Sequence, residues 1–309
     1  MTFFPTDSYG LIHRVAAISA AHTDNELQRA CASGDLVKVI RGTFAVRAER
    51  TAEEEHRLLA IAVALQSGPG AVISHESAAV LHGLPMLKPS LRRAHLTIDA
   101  TAGGRADRHR HVHASRLGPG DVVVVEGLRV TSLERTAVDV ACTTPLGFAG
   151  ALAVFDAALR KGADLALMAT MLQQRRRGVA QARRALDLAD PGAENPGESW
   201  GRAQIIVAGL PVPRLQHEFY DGHGRFVART DYDWDGKLVG EFDGKVKYCK
   251  HIGDGETVVD VVTREKARED RLRGMGVMVI RWVWADLEAG RVAGMVRAWL
   301  EKFGLVAAA

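Results

Sequence analysis

Acidic residues in the last third of the chain stand where a carboxylate is hard to keep. Asp231 and Asp233 fall in one run of strand-type residues, Phe226 to Trp234. Glu241 and Asp243 fall in the next, Leu238 to Asp243, and Glu198 opens the helical pattern before them. Acids are disfavoured in mid-strand and unfavourable to bury unpaired, so pairs of them on neighbouring strands call for a compensating charge. Oxygen-only ligands of this kind suit Mg2+ (or Mn2+), which keeps several waters and is held by one or two carboxylates together with a phosphate. Such an ion activates water and stabilises the charge of a phosphodiester displacement. The chemistry on offer is metal-assisted hydrolysis at some of these carboxylates; the alternative is an edge hairpin whose acids face solvent.

The register of that hairpin separates the two. A plain two-residue turn at Asp235-Gly236 pairs Trp234 with Lys237 and Asp231 with Gly240, leaving Glu241 on the other face. A three-residue loop with Gly236 left-handed shifts the pairing by one and places Asp231 and Glu241 together. The metal reading requires the bulged turn.

Basic residues mark other candidates. Arg175, Arg176 and Arg177, followed by Arg183 and Arg184, put enough guanidinium groups in a short segment to attract a phosphate backbone if they share a face. Lys38 and Arg41 belong to a basic hairpin. His109, His111 and His113 alternate on a strand and could be a metal face, but no carboxylate or cysteine stands at ligand spacing. Beside Arg105, Arg108 and Arg110 they read as a basic edge.

The elements that position these residues follow from pattern. Leu11 to Ala20 and Asn25 to Ser33 read as short helices, and Leu36 to Ile40 and Thr43 to Val46 as strands, the layout of a winged helix-turn-helix whose second helix enters the major groove. Helices over Glu53 to Gln66 and Ser74 to His82 precede a small sheet and a helix from Ser132 to Cys142. Gly147 to Leu188 reads as helical with breaks near Gly162 and Gly178. The Asp190-Pro-Gly-Ala-Glu-Asn-Pro-Gly run reads as the main linker. The expected organisation is therefore 1–50 winged helix, 51–145 a small α/β extension, 146–193 a helical connector and linker, and 194–309 a separate unit ordered αβββαβα. The fold class is α/β (α+β).

Asn195-Pro-Gly-Glu-Ser, Leu210-Pro-Val-Pro, Gln216, Arg229-Thr-Asp-Tyr-Asp-Trp, Gly240-Glu-Phe-Asp-Gly-Lys, the Glu265-Lys266 and Glu269-Asp270 pairs and Val279-Ile-Arg-Trp resemble restriction-endonuclease-like domains of the PD-(D/E)XK superfamily related to the very-short-patch repair nuclease. The resemblance covers about residues 194–305. It implies Asp231 as the central metal ligand, Glu241 as the first acid of the E-x-K element and Glu198 as the helix carboxylate. Asp243 stands where the superfamily most often has lysine. Either Asp243 is a further ligand and Lys245 supplies the positive charge, or the site binds DNA without cutting it. With Asn195 as N-cap and Pro196 at the first helical position, Glu198 also fits a helix-capping role.

Gly10-Leu-Ile, Gly34-Asp-Leu-Val-Lys-Val-Ile-Arg-Gly-Thr-Phe-Ala, Ser74-His-Glu-Ser-Ala-Ala-Val-Leu-His-Gly-Leu and Val130-Thr-Ser-Leu-Glu-Arg-Thr-Ala-Val-Asp resemble the N-terminal region of AbiEi-type antitoxins. That resemblance implies a winged-helix reader of double-stranded DNA that represses its own operon, with a toxin as partner. Forty basic against 37 acidic side chains permit nucleic-acid contact without requiring it. Cys31, Cys142 and Cys249 are too scattered for a disulfide framework or a cysteine zinc site, which fits a reducing cytoplasm. No signal-peptide pattern or membrane-length apolar run is present, so a membrane location is not expected.

Overall fold

The computed structural model describes residues 3–244 and 258–307 of the chain. It is a mixed α/β protein with three sheets, in two compact units. The first unit comprises Met1–Leu84, Lys88–Val140 and Ala166–Gln173; the second comprises Pro85–Leu87, Ala141–Leu165 and Gln174–Ala309.

The first unit begins with β1 (Leu11–His13), α1 (Arg14–Ser19), α2 (Asp24–Ser33), β2 (Leu36–Ile40) and β3 (Thr43–Val46), whose strands form an antiparallel sheet in the order β1-β3-β2. The helix expected from Leu11 starts only at Arg14, because Leu11 and Ile12 pair with Ala45 and Phe44. Asp7 sets this up: its carboxylate accepts the Tyr9 and Leu11 N–H groups, both at 2.9 Å, in a turn that releases Leu11 extended. The second helix forms as expected, closed by a reciprocal Thr23–Glu26 capping box and a left-handed Gly34.

There follow α3 (Ala52–Leu65), β4 (Ala71–Ile73), α4 (His75–Leu81), β5 (Ala94–Ile98), β6 (Arg105–Ala106), β7 (Arg110–Ala114), β8 (Val122–Val125) and β9 (Leu128–Thr131). These strands make a six-stranded mixed sheet in the order β6-β7-β5-β4-β9-β8. Ala60, Ile61 and Val63 of α3 pack with Ile73, Leu96 and Val130, and with Leu11 and Ile40 from the small sheet. That shared core joins the region expected as 1–50 and most of that expected as 51–145 into one unit.

The chain continues through α5 (Leu133–Thr143), α6 (Gly147–Arg160), α7 (Leu165–Met171), α8 (Val179–Asp187) and α9 (Pro196–Val207). Here the structure departs from the linker expectation at 190–197. Asp156 of α6 is fully buried and ion-paired at 3.3 Å with Arg202 of α9, which is 3% exposed. The Asp156 carboxylate also accepts the Asp190 N–H at 2.8 Å, Arg202 donates to the Leu188 carbonyl, and Arg160 donates to the Ala193 carbonyl. Pro and Gly shape this segment as a turn, yet buried charge fastens it, so α6 and α8 belong with α9 and not to a connector.

The second unit is completed by β10 (Arg214–Tyr220), β11 (Phe226–Trp234), β12 (Leu238–Asp243), α10 (Val258–Gly274), β13 (Met278–Val283), α11 (Trp284–Glu288) and α12 (Val292–Lys302). Its sheet has the order β10-β11-β12-β13, with β12 and β13 parallel and the other pairs antiparallel. On one face Tyr232, Trp234, Leu238, Phe242, Ile280 and Trp282 form the core with Ile205 of α9 and Val296 and Leu300 of α12. On the other, Val239 and Val279 pack with Leu272 of α10. A β-carbon on Gly240 would stand 2.5 Å from the Trp282 ring, so glycine there lets the indole lie on the strand.

Candidate active site

Asp235 (φ 56°) and Gly236 (φ 66°) are both left-handed, and the Lys237 N–H donates to the Trp234 carbonyl at 3.1 Å, as in a type I′ turn. Lys237 is the extra residue, so Trp234 pairs with Leu238 and Tyr232 with Gly240. This is the bulged register. Continued by one residue, this register aligns Asp231 with Glu241, on the face that carries Val239, against which Leu272 of α10 packs.

The acids differ in their bonds. Asp231, half-buried, accepts the Phe242 N–H through Oδ2 at 2.8 Å. Glu241 accepts from Arg268 of α10 at Oε1 (2.7 Å) and from Arg281 of β13 at Oε2 (2.9 Å). Arg281 also pairs with Glu269, and Arg268 with Glu265 at 3.0 Å. Burial, the largest single influence, works against both guanidinium charges, and Glu241 together with Glu265 at Arg268 and Glu269 at Arg281 outweighs it, holding each arginine above its ordinary pKa. Asp243 lies two residues beyond Glu241 on the same face, beside Val283. Lys245 lies outside the described residues.

Asp233 and Glu198 have structural partners. Asp233, 1% exposed, accepts from Arg214 Nε at 2.9 Å and from the Gly236 N–H at 2.9 Å, which fixes the turn. Glu198, 2% exposed, accepts the Glu194 N–H at 2.6 Å and Asn195 Nδ2 at 2.5 Å, while Asn195 Oδ1 accepts the Gly197 and Glu198 N–H groups, both at 3.0 Å. Glu198 therefore closes the start of α9, the capping role its spacing allows. Its carbonyl accepts the Tyr232 hydroxyl at 2.6 Å, and Gln216 Nε2 stands 3.4 Å from its Oε2.

The candidate DNA-binding residues are on the surface. Lys38 is exposed in mid-β2 and Arg41 is exposed at the β2–β3 turn. The first turn of α2 is acidic; Asp24 is held by Arg14, with Nε–Oδ1 at 2.6 Å. Arg175 and Arg177 are exposed and Arg176 half-buried in the irregular segment before α8, so they share no helix face. Gly178, left-handed at φ 77°, leads into α8, and a β-carbon there would meet the Cys142 carbonyl. Arg183 and Arg184 are on the exposed side of α8, opposite Ala182, Ala185 and Leu186.

Among the described residues, the group of three ligand-type side chains whose ligand atoms all lie within 4.8 Å of one another is His75, His95 and His113. The acidic face does not form such a group, because Glu241 is drawn to its arginines. In the sequence His109, His111 and His113 read as a basic edge; His75 and His95 come from elements that only the tertiary fold brings alongside β7. No described helix is long and apolar enough to cross a membrane.

No family model matches the chain. A crystal structure of the RV2827C protein from Mycobacterium tuberculosis is similar at 15% identity and a TM-score of 0.39, covering 70% of this chain and 84% of that one. The uncharacterized proteins MT2308 and Rv2248 of Mycobacterium tuberculosis are each 31% identical over 299 residues, 91% of this chain and 98% of theirs. By that extent and identity, the chain belongs to the same protein family as MT2308 and Rv2248.

Proposed function

We propose that the protein binds double-stranded DNA through its first unit and hydrolyses phosphodiester bonds at the acidic face of its second, as a Mg2+-dependent endonuclease. The observation that carries this reading is the bulged register, Trp234 with Leu238 and Tyr232 with Gly240, which continued by one residue aligns Asp231 with Glu241 on the strand face that also carries Asp243. The donor set fits a hard cation: carboxylate oxygens alone, on rigid strands, with cationic side chains around them. Asp231, Glu241 and Asp243 would hold the ion, whose part is to activate water and neutralise developing charge. The chain's own residues orient that site. The Phe242 N–H aims Asp231, Arg268 and Arg281 fix both oxygens of Glu241, and Lys245 is assigned the phosphate-facing charge.

A second reading has its own observation. Both oxygens of Glu241 already accept from guanidinium groups, and Glu198 is used in the helix start. On that basis the second unit binds DNA without cutting, and the protein acts as an AbiEi-like regulator or antitoxin with a toxin partner.

Plasmid and single-stranded DNA incubated with the protein in Mg2+ or Mn2+ separates the two. Under the endonuclease reading the parent cleaves and Asp231→Asn does not, while gel-shift binding in chelator is equal for both. The Asn oxygen keeps the Phe242 bond, so the melting temperature stays within about 2 °C, less than a 1 kcal/mol change would give. Binding without cleavage in either metal hands the case to the regulator; absence of DNA binding overturns both.

A further inference from the structure

The first unit holds a histidine cluster that the reading of the second unit leaves unused. His75 is the first residue of α4, and His95 and His113 lie on β5 and β7. Those strands pair in parallel, His95 beside His111 and Thr97 beside His113, so the imidazoles of His95, His111 and His113 share one face. The start of α4 is pinned to that face by several bonds. Thr97 Oγ1 donates to Ser74 Oγ at 2.8 Å, the His95 N–H donates to Ser77 Oγ at 2.8 Å, and the Ser74 N–H donates to the His95 carbonyl at 3.0 Å.

We propose that His75, His95 and His113 bind one divalent transition-metal ion of the zinc class, with a coordination position left open for water. His95 Nδ1 and His113 Nε2 are 3.0 Å apart. Two nitrogens on a tetrahedral ion with bonds of about 2.0–2.1 Å stand about 3.3 Å apart, so a shift of a few tenths of an ångström admits the metal. His75 stacks on His113 with ring centres 3.7 Å apart and planes at 15°. The three ligand nitrogens already lie within 4.8 Å of one another, and rotation of the His75 ring about its own side-chain bonds can aim its nitrogen at the ion without moving backbone. His75 Nδ1 lies 3.0 Å from Ser74 Oγ, a contact that engages Nδ1 and leaves Nε2 to face an ion.

Two further observations point to a cation here. Glu76 is 8% exposed, and its Oε2 makes no hydrogen bond although it stands 3.4 Å from His95 Nδ1. An ion held by the three imidazoles would give that buried carboxylate a counter-charge, and a metal-bound water would give it a donor. His75 is also left-handed at φ 52°, a conformation that a side chain disfavours and that recurs where a site dictates geometry. Imidazole nitrogen selects zinc, nickel, cobalt or copper over Mg2+, which makes this site chemically distinct from the carboxylates of the second unit. The inference does not depend on the endonuclease reading.

The full-length protein, stripped with chelator, is titrated with Zn2+ against a chromophoric competitor. The parent takes up one equivalent and its first-unit melting rises. His95→Ala and His113→Ala each weaken uptake at least about a hundredfold, more than loss of a supporting contact would. Asp231→Asn and His109→Ala stay within about threefold of the parent. X-ray absorption of the zinc-loaded parent, which needs no variant, shows imidazole nitrogens at about 2.0–2.1 Å. No uptake by the parent, equal uptake by the histidine variants, uptake lost in Asp231→Asn, or an oxygen-only shell overturns the proposal.

Discussion

Arg202→Met tests whether the α6–α9 ion pair fastens α6 and the 190–197 segment to the rest of the second unit. Burial raises the Asp156 carboxyl to about 6 in the folded protein, more than Arg202 lowers it, against 3.8 for the solvent-exposed side chain. A folded pKa above the unfolded one means that this group favours folding below about 4 and that its contribution is lost as pH rises through 6. Removing Arg202 takes away the lowering influence, so the variant's carboxyl holds its proton to higher pH. Between pH 6 and that raised value, the folded variant binds a proton that the folded parent does not. The stability gap between them therefore widens by up to about 1.4 kcal/mol per pH unit. At pH 5 only the guanidinium's hydrogen bonds and packing are missing; by pH 8 the total loss reaches the 3–5 kcal/mol expected for a broken buried pair. Trp200, Trp234, Trp282, Trp284 and Trp299 all belong to the second unit, so urea unfolding followed by tryptophan fluorescence reports on it alone. The double variant Asp156→Leu/Arg202→Met, which leaves no buried charge at this pair, should recover most of the loss. A gap that is flat between pH 5 and 8, or below about 1 kcal/mol throughout, would refute the reasoning.

The metal-free first unit should lose stability as pH falls from 7 to 5. His95 and His113, packed among Glu76, His56, His75, His111 and Arg93, stay neutral in the fold while the unfolded chain takes up protons near 6.5. Each then contributes at most about 1.4 kcal/mol per pH unit below 6.5, the more exposed His113 less, and amide exchange in α3 and β4 measures it; opening energies independent of pH would sink the idea. Replacing Lys38 and Arg41 by alanine should weaken DNA binding and reduce the logarithmic salt slope by about 1.8, two phosphate contacts at about 0.9 each. An unchanged slope removes the hairpin from the interface.

The bulged register was legible in the apolar alternation, though not in the turn residues. Asp235 and Gly236 accept left-handed backbone under either pairing. A two-residue turn, however, would put Lys237, Val239 and Glu241 on the face of Tyr232 and Trp234. The three-residue loop gives that face Leu238, Gly240 and Phe242, and that is the side buried against α9 and α12. Asp233 could not be resolved the same way, because its partner Arg214 lies across a strand pairing interrupted at Gln216, left-handed at φ 50°. The 190–197 segment misled for a related reason. Its Pro and Gly content is a local signal for a turn, whereas Asp156 and Arg202, which fasten it, are 46 residues apart.

The histidines show what alternation omits. Period-two spacing identifies residues on one face of a strand but not what the fold lays against that face. His111 and His113 were readable as a pair, while His75 enters from a helix start and His95 from a strand that neighbours β7 only after the chain has crossed the sheet. The consequence for function is practical. If nitrogen ligands occupy the first unit and oxygen ligands the second, chelation strips both, and loss of cleavage after chelation does not by itself implicate Asp231. Mg2+ restored in the presence of a zinc-selective chelator reloads only the carboxylates. Recovery of cleavage under that condition would assign the chemistry to the acidic face, whereas recovery that needs Zn2+ would move it to the histidines.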